Sequence, residues 1–299
     1  MRILLLGSNG QVGWELQRAL APLGEVLACD LDSPGDLRAD FAEPASLRGL
    51  VARAAPAVVV NAAAHTAVDR AEAEPALARA INAEAPSVLA AEAAARGALL
   101  VHYSTDYVFD GSGSEPRDED APTAPLSVYG RTKLEGEQAI RGSGCPHLIL
   151  RTSWVYAARG GNFARTMLRL AAEREVLDVI DDQVGAPTGA ELLADVTAHA
   201  LLRLRAEPAL AGLYHCSAAG ETSWFGYACH VIEAARAAGR PVKVAPQAIR
   251  PIPTSSYPTP AARPRNSRLD TRRLRAAFGL ALPPWQRGVD RVLAEWFAR

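Results

Sequence analysis

Short, nearly continuous apolar runs punctuate the chain at residues 2–6, 26–29, 57–60, 99–103 and 148–151, with longer Ala-rich, helix-compatible segments between them. Runs without polar alternation suit strands whose two faces are both covered by helices, so the pattern predicts βαβ units on a parallel sheet. The periodicity weakens beyond residue 151. Residues 111–125 (GSGSEPRDEDAPTAP) read as a long loop, and residues 250–268 (RPIPTSSYPTPAARPRNSR) hold too many prolines for a helix. The expected architecture is α/β: a Rossmann-type, doubly wound parallel sheet over 1–150, then a smaller mixed α/β substrate domain over 151–299, with a soft boundary and segments free to interleave.

Composition narrows the classes. The chain has 299 residues, 49% hydrophobic and 22% charged, as globular proteins do. A net charge of −1 provides no field for phosphate backbone or anionic lipid, which argues against nucleic-acid and membrane partners. Cys29, Cys145, Cys216 and Cys229 form no C-x-x-C pair and fit a reducing cytoplasm; the apolar run at 3–6 is too short for a signal peptide. The six histidines are scattered; His65 and His102 lie near strand ends, and no pair has zinc spacing, so they read as satisfied or surface groups. Only Lys133 and Lys243 are lysines, all other cations of the basic set being arginine.

Candidate chemistry begins at the first strand. Residues 2–13 read RILLLGSNGQVG, with Gly7, Gly10 and Gly13 spaced as in a dinucleotide-binding turn and residues 14–20 helix-compatible. Glycine there allows a tight turn and close backbone approach, so a pyrophosphate can sit on free N–H groups at a helix start. Gln11 and Val12 fall inside this turn. Asp30 ends the second strand about 20 residues on, where an acid would hold the adenosine ribose and repel a 2′-phosphate, favouring NADH over NADPH. Ala62, Ala63 and Ala64 follow the third strand and are small enough for a cofactor to lie against the backbone.

A second constellation follows. Tyr129-x-x-x-Lys133 places a phenol and an ammonium one helical turn apart on one face. A phenol is a poor proton donor at neutral pH without a nearby positive charge, which Lys133 could supply. Ser104, Thr105 and Asp106 stand at the carboxyl end of the fourth strand, where open α/β sheets carry their sites, and Thr105 could hydrogen-bond a carbonyl oxygen.

These motifs resemble the extended short-chain dehydrogenase/reductase family. The segments NAAAHTAVDRAE, HYSTDYVFDG, YGRTKLEGE, RTSWVYA, GNFARTML, DDQVGAPTGAELLAD and RPRNSRL carry the likeness over nearly the whole chain, and within the family they point to its nucleotide-sugar reductases. The resemblance implies a homodimer that uses NADPH or NADH, with Mg²⁺ possible at an unknown site, to reduce a C4 keto group on a nucleotide sugar. It implies that Tyr129 donates the proton, Lys133 holds the nicotinamide ribose and lowers the phenol's pKa, and Thr105, Asp106 and Trp154 contact the sugar. Asp40 and Phe41 join the cofactor set, and Asn82 matches the family's structural asparagine. Arg263, Arg265 and Arg268 are candidates for the substrate diphosphate, since guanidinium forks suit phosphate oxygens. Dehydratases of the family place Asp-Glu after the threonine; here Tyr107 takes the glutamate position, which favours reduction over elimination. The alternatives are another nucleotide-sugar reductase or epimerase, or a non-catalytic NADP(H)-binding regulatory subunit.

Overall fold

A computed structural model describes residues 1–298. Six strands, β1 (Arg2–Leu6), β2 (Glu25–Cys29), β3 (Val58–Asn61), β4 (Leu99–Thr105), β5 (His147–Thr152) and β6 (Gly212–His215), form one sheet in the order β6-β5-β4-β3-β1-β2. Every pairing is parallel. The eight principal helices are α1 (Gln11–Leu20), α2 (Ser46–Ala54), α3 (Ala85–Arg96), α4 (Val128–Gly142), α5 (Phe163–Glu173), α6 (Ala190–Ala206), α7 (Trp224–Ala237) and α8 (Trp285–Phe297).

The unbroken apolar strands are explained by what covers them. Along β1, Ile3 and Leu5 face a core built with Leu16 and Leu20 of α1 and Leu193, Leu201 and Leu204 of α6. Leu4 and Leu6 face the opposite core, with Leu47 and Leu50 of α2 and Leu89 and Ala93 of α3. Each such leucine contributes about 1.5–3 kcal/mol by leaving water, so the alternation fixes which helix lies on which face. The chain crosses from β2 back over β1 to β3, which opens a crevice at the carboxyl ends of β1 and β3, the place where such sheets bind ligands.

A cut near residue 150 does not separate the layers. Helix α6 packs against α1, and β6 adds to β5, so residues 190–215 return to the sheet. Leu274 and Phe278 also join the first core, and most of the remaining second half gathers around a third core of Tyr156, Met167, Tyr227, Val231, Trp285 and Val289, joined by short two-stranded pairings. The proline-rich stretch holds an extended segment, Ile249–Ile252, and a single 3₁₀ turn, Thr254–Ser256. Residues 111–125 are loop apart from one bridge, Arg117 to Leu269. No helix among the described residues is long and apolar enough to cross a membrane.

Candidate active site

A cleft of about 570 Å³ opens at the crevice between β1 and β3. Its floor at one end is the glycine turn. Gly7 adopts φ +80°, and a Cβ there would lie 2.5 Å from the Ala63 nitrogen. At Gly13 a Cβ would fall 1.9 Å from the Gly7 carbonyl oxygen, so this residue lets α1 pack onto the turn. No side chain caps the start of α1, which leaves its first N–H groups free beside Gly10, Gln11 and Val12, all of which line the cleft. Asp30 also lines it; its carboxylate accepts from the N–H groups of Asn9 and Leu31, each at 2.8 Å. Ala62, Ala63 and Ala64 form the wall after β3. A free helix start, a Cβ-free turn and an acid at the next strand end fit a dinucleotide.

Two further expected cofactor residues stand in the loop between β2 and α2. Asp40 does not line the cleft; it caps its own loop, accepting from Ala42 N–H at 3.0 Å and pairing with Arg38 at 2.9 Å. Phe41 is buried in the core beneath α2, so its ring packs and does not face the cleft.

The other end of the cleft is set by α4. Ser127 caps it, accepting from Gly130 N–H at 3.2 Å, and α4 brings Tyr129 and Lys133 against the end of β4. Thr105 lies beside the Tyr129 phenol, and Tyr107 meets the Tyr129 ring edge-on at 5.4 Å. Burial pushes the phenol up to about 12, and Thr105 opposes that shift. Lys133 finds its own partners on β4. Its Nζ is turned away, donating to the Tyr103 carbonyl at 2.7 Å and lying 3.1 Å from His102 Nε2, and burial pushes it down to about 8.

Asp106 is buried under the cleft rather than in its lining, with one carboxylate oxygen unpartnered. Burial raises it to about 7, against hydrogen bonds from Ser267 and Thr105. Trp154 does line the cleft, at φ +49°, a left-handed conformation costly for a bulky residue, and its ring stacks on Trp224 at 3.6 Å. The three arginines do not converge. Arg263 pairs with Asp69 at 2.7 Å, Arg265 with Asp182 at 3.6 Å and Arg268 with Glu221 at 2.7 Å, and none lines the cleft. Each donor fork already has a carboxylate, which holds the loop in place. Asn82, in the π-helical segment Ala80–Glu84, bridges the His65 backbone and the Thr132 hydroxyl, tying the segment after β3 to α4.

Several contributors were not singled out from sequence. Trp224 and Thr152 line the cleft, and Asn61, Glu137 and Arg151 form a buried polar layer behind it together with His102, expected only as a satisfied or surface group. Glu137 lies four residues beyond Lys133, one more step along the face that carries Tyr129, and His102 interrupts an otherwise apolar strand; both signals were in the sequence. Among the described residues no group of three or more His, Cys, Asp or Glu could hold a metal ion, and nothing places Mg²⁺.

A parallel sheet with a glycine turn at its crossover, and a Tyr-x-x-x-Lys helix set against a strand-end threonine, defines a nicotinamide-dependent oxidoreductase of the extended short-chain dehydrogenase/reductase class. The family model described as "RmlD substrate binding domain" matches residues 1–297, and the chain belongs to that family. It is 56% identical over 297 residues to the dTDP-4-dehydrorhamnose reductase of Escherichia coli (strain K12), covering 99% of this chain and 98% of the relative. Among solved structures, a dTDP-4-dehydrorhamnose reductase from Clostridium acetobutylicum superposes with TM-score 0.87 at 35% identity, covering 99% of each chain. The Bacillus anthracis dTDP-4-dehydrorhamnose reductase, solved in complex with NADP, gives TM-score 0.86 at 34% identity over 98% of this chain and 99% of its own.

Proposed function

We propose that the protein reduces the C4 keto group of dTDP-4-dehydro-L-rhamnose to give dTDP-L-rhamnose, the sugar donor for cell-surface polysaccharide. The observation that carries this reading is that Thr105, Tyr129 and Lys133 line the same cleft as the glycine turn and the start of α1, in a chain 56% identical to a reductase of that name. A reduced nicotinamide dinucleotide, NADH or NADPH, supplies the hydride when bound. The chain does the rest. The glycine turn and the free start of α1 hold the pyrophosphate, Asp30 accepts from ribose hydroxyls, and Lys133 reaches the nicotinamide ribose.

Thr105 positions the C4 carbonyl by a hydrogen bond, and the Tyr129 hydroxyl gives its proton to the C4 oxygen. A phenol raised to about 12 remains protonated at neutral pH and is therefore loaded before each turnover. The stacked Trp154 and Trp224 form a flat apolar wall for the sugar and base. The Thr105 hydroxyl has a single proton, which it donates to Asp106 Oδ1 at 3.2 Å and turns to the C4 oxygen when the substrate binds. Arg263, beside Tyr107, is the arginine best placed to exchange Asp69 for the substrate diphosphate. The same reading has the enzyme act as a homodimer in the cytoplasm, in keeping with four free cysteines. The assay is NAD(P)H absorbance loss with dTDP-4-dehydro-L-rhamnose. Tyr129→Phe should lower turnover at least a hundredfold while dinucleotide affinity stays within about twofold, since general acid catalysis contributes on the order of 10²–10⁴. No oxidation by the wild type would overturn the reading in favour of a binding subunit.

A further inference from the structure

Three polar side chains from three elements meet behind the cleft: Asn61 at the end of β3, His102 in β4 and Lys133 in α4, each 1% exposed. One backbone group fixes the direction of every hydrogen bond among them. The Ala63 N–H can only donate, and it donates to Asn61 Oδ1 at 3.1 Å. The carboxamide NH₂ therefore faces His102 Nδ1, also at 3.1 Å, and that nitrogen must accept. A neutral imidazole whose Nδ1 accepts carries its proton on Nε2. This Nε2–H points at Lys133 Nζ, 3.1 Å away. An ammonium has no lone pair to receive it, whereas a neutral amine has one. The bond from Nζ to the Tyr103 carbonyl at 2.7 Å is open to either form.

We infer that Asn61 and His102 form a tautomer-locked hydrogen-bond chain that favours the neutral amine of Lys133, making His102 a positioning residue that sets the charge of this lysine. Burial acts in the same direction, lowering Lys133 and holding His102 neutral far below its ordinary range. The other titratable groups near this point are Tyr129 and Glu137 on α4, Tyr103 and Asp106 on and after β4, and Arg151 on β5; β3 and the π-helical segment Ala80–Glu84 bring the uncharged Asn61 and Asn82, Glu84 being exposed and paired with Arg79. Glu137 pulls Lys133 upward, but both its oxygens are engaged by Arg151, which limits that pull.

The test uses ligand-free protein and so does not depend on turnover. Lys133 and Lys243 are the only lysines, so ¹³C-lysine labelling yields two Cε signals to titrate. Lys243 is half-exposed and paired with Glu175 at 3.1 Å, and serves as the internal reference. The expected Lys133 midpoint lies near or below 8, well under the ordinary lysine range, and long-range ¹H–¹⁵N spectra show His102 protonated on Nε2 and bare on Nδ1. His102→Leu removes the donor and raises the midpoint by about one pH unit, the size of one hydrogen bond to a buried group. If His102 instead accepted from an ammonium, the same variant would lower it. Asn61→Asp offers an oxygen to both Ala63 and His102, turns the imidazole over, and also raises the midpoint. An Nδ1–H tautomer in the wild type, or a midpoint that falls or stays fixed in His102→Leu, overturns the inference and leaves the reductase reading standing. Should the variants fail to fold, the wild-type tautomer alone decides.

Discussion

Glu137→Ala should destabilise the fold by about 3–5 kcal/mol, the range for removing one partner of a buried ion pair. Arg151 and Glu137 are 2% and 1% exposed, and Arg151 donates through Nε and Nη2 to the two carboxylate oxygens at 2.9 and 2.6 Å. Without Glu137 the guanidinium has no other anion. Its remaining neighbours are the Phe109 ring, 5.1 Å from the centroid, and His215 Nε2 at 3.5 Å, and burial lowers His215 to about 3, so it stays neutral. Arginine cannot escape by losing a proton. Water has no easy path either, because Arg151 sits in β5 between Ser104 of β4 and His215 of β6. Ser104, which donates to the same carboxylate, loses its acceptor as well. At about 2–4 °C per kcal/mol the melting temperature should fall by roughly 6–20 °C, read by circular dichroism or urea titration. The double variant Glu137→Leu/Arg151→Met removes both charges and should recover most of the loss, to within about 2 kcal/mol of wild type, because neither ion then needs solvation. A loss below about 1 kcal/mol in the single variant, or a double variant less stable than the single, would refute the account.

Gly13→Ala places a methyl 1.9 Å from the Gly7 carbonyl, a backbone atom that cannot swing aside, so α1 must move off the turn. Dinucleotide affinity, followed by fluorescence titration, should drop about tenfold or more, equivalent to about 1.4 kcal/mol, and an unchanged Kd would show that the turn is not the cradle. Asp30→Ser removes the charge that opposes a 2′-phosphate and the acceptor for two backbone N–H groups. The ratio of kcat/KM for NADPH over NADH should rise roughly tenfold, about 1.4 kcal/mol; a fixed ratio would mean that discrimination lies elsewhere.

Local rules and long-range rules were not equally readable from the chain. Strands β1 to β5 were visible because a strand buried on both faces must be apolar throughout, and the glycine turn because backbone approach requires glycine at Gly7 and Gly13 whatever the context. Tyr129 and Lys133 share a face by helical spacing alone. What sequence spacing could not resolve is competition among partners far apart in the chain. Arg263, Arg265 and Arg268 looked like one cluster because they are neighbours in sequence, yet Asp69, Asp182 and Glu221, drawn from three different segments, hold them apart. Strand β6 escaped notice because Gly212–His215 is short and partly polar, and only its pairing with β5 makes it a strand. Lys133 shows the same limit in its sharpest form. Spacing aimed its ammonium at Tyr129, but the direction it takes in the fold is set by the Tyr103 carbonyl and by His102, whose own proton is placed by Asn61 and Ala63 at and just after the end of β3. Residue identity and periodicity therefore locate a reactive group, while its charge state is decided by donors and acceptors that only the closed sheet brings together.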